Sequence, residues 1–111
     1  MSGTTRIGAL RHRVTLEREQ LAPDEAGSFT RGFVTVAEAW AEIRQKASRD
    51  LSEGQRRLRR DLFEVTLRAR PGLTHTDRVR WQDETLKVTG CRAGDLEGRF
   101  LVLLCERDTA Q

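Results

Sequence analysis

Period-two alternation of apolar and polar side chains picks out two stretches of the chain. Residues 10–18 read L-R-H-R-V-T-L-E-R, with Leu10, Val14 and Leu16 on one face and Arg11, Arg13, Thr15 and Glu17 on the other. That is a strand with one solvated face. Residues 62–70 alternate again, placing Phe63, Val65, Leu67 and Ala69 inward against Glu64, Thr66, Arg68 and Arg70, until Pro71-Gly72 ends the run. Residues 79–81 and 85–89 flank Gln82-Asp83-Glu84 and predict a tightly connected strand pair. Residues 100–105, FLVLLC, are apolar on both faces, so this last strand is central or has its outer face covered by another element or subunit. From these phases Val65, Leu67, Val79, Val88 and Leu103 are expected in the core.

Residues 21–32 (LAPDEAGSFTRG) concentrate Pro23, Asp24, Gly27 and Gly32 and predict a long exposed loop or loose hairpin. Residues 33–60 carry two conflicting signals. Val36, Trp40, Ile43, Ala47 and Leu51 fall at helical spacing in a segment of high helix propensity. Read as a strand, Phe33, Ala37, Ala39, Ala41 and Ile43 share one face while Val34, Val36 and Trp40 share the other. That requires both faces to meet something. The basic run that ends this segment reads as a short solvated helix or mobile loop, against a specific partner site.

With 111 residues and 12.7 kDa the chain holds one domain. We place it at residues 7–107, with a flexible arm at 1–6 and a flexible tail at 108–111. The charged fraction, 33%, exceeds the roughly 25% of an average domain, so the surface is wet and highly charged. Twenty basic against 17 acidic residues leave only +3, and the cationic character is local. No run approaches the ~18 apolar residues of a membrane span, and residues 1–10 lack the apolar core of a signal peptide. The protein is expected to stay in the cytoplasm where it is made. If the final hairpin turns at residues 93–96, Cys91 faces a residue near Gly98. Cys105 then lies about seven positions further along at ~3.3 Å each, beyond disulfide reach. Two unpaired thiols suit a reducing compartment.

The catalytic repertoire is thin. His12 and His75 stand apart from any ligand or acid-base partner at a recognised spacing. No C-x-x-C, H-E-x-x-H, phosphate-cradling glycine loop or G-x-S-x-G elbow occurs. The adjacent acid pairs, Asp24-Glu25 and Asp83-Glu84, sit in turn-like sequence, and Trp40 and Trp81 read as core anchors. No catalytic residue, metal or cofactor is expected, which moves weight from enzyme to binding or structural module.

The order of these elements resembles the phage head-tail joining family, the head-closure, stopper or head-completion proteins. The resemblance covers about residues 7–107. It begins with Gly8-Ala9-Leu10-Arg11-His12-Arg13-Val14-Thr15-Leu16 and continues through Asp24 and Gly27, with Phe29 or Phe33 as the following aromatic. Next come Ala39-Trp40-Ala41-Glu42-Ile43, the strand at 63–70, Arg78-Val79 and the closing Leu101-Val102-Leu103-Leu104-Cys105-Glu106. The arginine-rich composition, 18 of the 20 bases, would suit a prophage or a gene transfer agent. The resemblance implies a mainly β fold, a small antiparallel barrel of about six strands with long loops. It turns residues 34–45 into a strand and confines helix to one short segment near 49–60.

The function it implies is a structural connector: a homo-oligomeric ring between the portal or adaptor and the tail, sealing the DNA channel. Arg56, Arg57, Arg59, Arg60, Asp24 and Phe29 are then the candidate contacts with partners or channel DNA. Against this stands a small nucleic-acid-binding barrel, using the same four arginines on phosphate with steep salt dependence. A small enzyme is the third alternative, with no residue to carry it.

Overall fold

The computed structural model describes residues 7–111. Its six strands are β1 (His12–Pro23), β2 (Phe29–Glu53), β3 (Arg56–Arg68), β4 (Arg78–Trp81), β5 (Glu84–Ala93) and β6 (Phe100–Ala110). Short 3-10 turns at Ile7–Ala9 and Leu73–His75 are the only helical pieces among the described residues. All neighbours pair antiparallel in the order β1-β2-β3-β6-β5-β4, and β4 returns to β1 to close a barrel. The inward positions fill it: Val14, Leu16, Ala41, Val65, Leu67, Val79, Leu86 and Leu103 are each at most 1% exposed. Of the expected core residues only Val88 is partly buried, packed against that cluster.

The helix expected near 49–60 is absent. Those residues are the end of β2, a turn at Gly54-Gln55 and the start of β3, paired from Glu53 opposite Arg56 back to Arg49 opposite Arg60. Gly54 sits at φ 61°, a left-handed conformation that costs glycine little. Of the two forms expected at 21–32, the hairpin is the one present, and it is regularly paired. Residues 108–110, expected as tail, continue β6 opposite β3, ending with Ala110 opposite Leu58. The arm at 1–6 lies outside the described residues.

Strand β2 has 25 residues. Fully extended it would span roughly 80 Å. The molecule's longest dimension is 49 Å, so β2 coils around the barrel. Its register shifts twice, where Leu16 faces Ala37 but Glu17 faces Thr35, and where Gln45 faces Phe63 but Ala47 faces Leu62. The extra residues, Val36 and Lys46, are β-bulges, and each flips the phase of the strand. Between them Ala37, Ala39, Ala41 and Ile43 face the core, as the strand reading has it. Before Val36 the phase is reversed, and Phe33 moves to the outer face. Its cross-strand partner there is Glu19, an outward residue.

The register also revises the cysteine geometry. Cys91 lies opposite Leu103, two residues from Cys105. A diagonal pair of this kind holds its Cβ atoms ~7 Å apart, too far for a disulfide. Both thiols are free, Cys91 exposed and Cys105 buried, where loss of solvation pushes the thiol up to about 12.

Candidate functional site

Beyond Glu17 the β1–β2 pair leaves the barrel as a two-stranded ribbon whose residues 18–35 are all exposed. Its tip is built by Asp24. One carboxylate oxygen accepts the backbone N–H groups of Ala26 (2.9 Å) and Ser28 (2.8 Å), while Gly27 takes φ 83°. Asp24 thus has a definite structural task at the position where a contact residue was expected. In the register, Leu21 faces Arg31, Pro23 faces Phe29 and Glu19 faces Phe33. Directly paired residues share a face, so Leu21, Pro23, Phe29 and Phe33 form one apolar strip. An Arg31–Glu19 ion pair at 3.3 Å borders it.

The base of the ribbon is clamped. The Arg78 guanidinium lies 3.4 Å from the centre of the Phe33 ring while its Nε donates to the Glu17 carboxylate. Asp77 accepts the Glu19 backbone N–H at 2.7 Å. Towards the tip exposure rises, to 58% at Leu21 and 68% at Phe29. The other large exposed apolar side chains described are Phe33, Val34, Trp40 and Leu96. All but Leu96 lie on this ribbon or on the continuation of β2.

Trp40 is not the core anchor expected from the sequence. It stands on the outer face opposite Arg13, 54% exposed, with the Arg13 guanidinium 5.5 Å from its ring centre. It borders a groove of about 640 Å³ with Leu10, Ala39 and Ala69 as apolar lining and Arg13, Arg68, Arg70 and Glu38 as charged lining. The groove lies at the end of the β1–β2 pairing away from the ribbon tip. Leu21, Phe33 and this groove were missed in the sequence. Spacing alone does not separate an outward aromatic from a core one when a bulge of unknown position has shifted the phase.

The four arginines of the basic run do not form one cluster. Alternation along β3 puts Arg57 and Arg59 on one face and Arg56 and Arg60 on the other. Arg60 is held by its cross-strand partner Asp108 through two parallel bonds of 2.8 and 2.9 Å. The pairing raises the Arg60 pKa and lowers that of Asp108. Arg59 donates from Nε to Ser48 (2.9 Å) and to Asp61 (3.2 Å). Arg56 and Arg57, next to the turn, make no ion pair among the described residues. Phe29 and this pair therefore remain as free surface, whereas Arg59, Arg60 and Asp24 are occupied within the chain.

No group of three or more potential metal ligands occurs among the described residues, nor any helix long and apolar enough to cross a membrane. What the surface can do chemically is dock: an apolar ribbon, an arginine-rimmed groove and a basic turn.

Comparison with known proteins agrees with this picture. The family model described as phage head completion protein matches residues 5–108. Among solved structures, a chain from "Virion of native gene transfer agent (GTA) particle" has the same fold. It superimposes with a TM-score of 0.78 over 97% of this chain and 100% of that one, at 19% identity. No curated protein sequence matches.

Proposed function

Because the chain belongs to the phage head completion protein family, we propose that it is a structural neck component of a phage-like particle. Copies assemble as a ring between the portal or adaptor of the filled head and the tail, and close the DNA channel. The role is non-enzymatic. The protein folds in the cytoplasm and ends in the particle, which is a phage or, as the particle of the fold neighbour suggests by analogy, a gene transfer agent.

One observation of the molecule itself carries this reading. Four of the six large exposed apolar side chains described, Leu21, Phe29, Phe33 and Val34, sit on a ribbon that projects from a well-filled barrel. Exposed apolar surface of that kind marks an interaction site, and a ribbon that reaches out from its barrel reaches a neighbour. The free arginines Arg56 and Arg57, on the turn at the other end of β2, suit the phosphates of DNA stalled in the channel or an acidic neighbouring ring. A free-standing nucleic-acid-binding barrel is less well supported, since Arg59 and Arg60 are engaged by Asp61 and Asp108.

Deleting the gene from its producing strain tests the reading. DNA-filled heads without tails, made whole by adding the purified chain, are the expected result. Complete infectious or transducing particles from the deletion strain would overturn it.

A further inference from the structure

Two of the exposed apolar patches described on this chain carry opposite charge. At the ribbon tip, residues 21–30 contain Leu21, Pro23 and Phe29 together with two carboxylates, Asp24 and Glu25, and no cation. At the Trp40 groove three arginines, Arg13, Arg68 and Arg70, stand against Glu38 alone. Polarity and charge of the one are complementary to the other. A chain cannot join its own two patches, because Phe29 and Trp40 lie eleven positions apart on one paired strand, β2, and point from opposite ends of the β1–β2 pairing.

We propose that the ribbon tip of one copy docks in the Trp40 groove of a second copy of this chain. Phe29 and Leu21 bury against the Trp40 ring and the apolar lining. Glu25, and the Asp24 carboxylate oxygen that the turn does not use, meet Arg68 and Arg70 at the rim, where opposite charge sets register and excludes the reversed approach. The two surfaces differ, so the contact is head-to-tail: each bound copy still offers a free tip and a free groove. Such a contact propagates and closes into a ring where its rotation permits. The contact builds on the ring reading above and supplies its joint.

Disulfide trapping tests it on the full chain carrying Cys91→Ser, which removes the exposed native thiol. Chains with Ser28→Cys at the tip are mixed with chains carrying Ala69→Cys at the groove and oxidised gently. A covalent heterodimer is expected from the mixture, and neither variant alone should give comparable yield. Absence of that product, or equal yield from Ser28→Cys alone, overturns the proposal. Sedimentation adds an independent arm. Phe29→Ser should weaken self-association by at least ~10-fold, as loss of a buried aromatic anchor does. Glu25→Arg, which leaves the Asp24 turn intact, should weaken it, and mixing with Arg68→Glu/Arg70→Glu should restore it. Circular dichroism of each variant checks that the barrel is retained. A wild-type chain that stays monomeric to millimolar concentration overturns the contact and leaves the head-completion reading intact, because that reading is scored in particles. Trapped heterodimers with normal deletion-strain particles would do the reverse.

Discussion

Asp61 is the least exposed carboxylate among the described residues, at 2%. It survives there because Arg107 donates to one oxygen at 2.8 Å while Ser48, Gln45 and Arg59 donate to the other. The Arg107 bond first, then that of Ser48, lowers its pKa from 3.8 to about 2. A carboxylate with a depressed folded pKa stabilises fully above its unfolded value and loses that contribution as pH falls through the folded one. The urea midpoint of the wild type is therefore expected to drop between pH 3.8 and 2, and that of Asp61→Asn to drop less over the same interval. At pH 7 the same variant should lose roughly 1.5 to 3 kcal/mol, the worth of hydrogen bonds to a buried charged group. Leu67, fully buried, is the apolar counterpart. Leu67→Ala is expected to cost about 2 to 5 kcal/mol in chemical denaturation, and a loss under about 1 kcal/mol would mean that the site collapses around the smaller side chain.

At the scale of elements, legibility followed phase. β1 and the core half of β3 alternate without interruption, and their inward residues can be named from sequence alone. β2 cannot be read that way, because bulges at Val36 and Lys46 each insert one residue into a period of two. The resulting mixed spacing of Val36, Trp40, Ile43, Ala47 and Leu51 coincides with that of a helix. The turn at Gly54-Gln55 hides in a charged run for a related reason: its flanking cross-strand pairs are charged or polar except for Leu51 with Leu58, so no apolar alternation marks them. Glu53 lies opposite Arg56 and Asp50 opposite Arg59. The candidate site was legible in part, since Phe29 and the turn arginines stand out in composition while the Trp40 groove depends on register. The same pairing divides the four arginines by role. Replacing Arg56 and Arg57 with Ser should leave the melting temperature unchanged while assembled particles lose tails or leak DNA. Replacing Arg60 with Ser should lower the melting temperature, since its two hydrogen bonds to Asp108 join β3 to the end of β6. Particles that assemble and hold DNA normally without Arg56 and Arg57 would remove the turn from the working surface.

For the whole molecule the decisive feature is where the barrel closes. β3 and β6 share eleven register pairs, from Leu58 opposite Ala110 to Arg68 opposite Phe100. The β1–β4 seam has three: Thr15 with Arg80, Leu16 with Val79, and Glu17 with Arg78. Leu16 and Val79 close the seam from inside, each 0% exposed. From outside it is pinned by the Arg78–Glu17 ion pair and by the Asp77 backbone N–H donating to the Glu17 carbonyl at 2.8 Å. With the fewest register pairs of any strand pairing in the barrel, the seam is the expected first point of local opening, which leaves the long β2-β3-β6 sheet undisturbed. Backbone amides of β4 and the facing part of β1 should therefore exchange with solvent markedly faster than those of β3 at Val65 and Leu67. Glu17→Gln removes the charge of the side-chain pin and leaves the backbone one, and it should speed exchange at the seam while leaving β3 protection nearly unchanged. The same clamp holds the base of the ribbon through Arg78 against Phe33, so a loosened seam should also weaken docking of the tip without any change at Phe29. Equal protection of β3 and β4, or a Glu17→Gln effect spread evenly over the barrel, would show that it opens only as a whole.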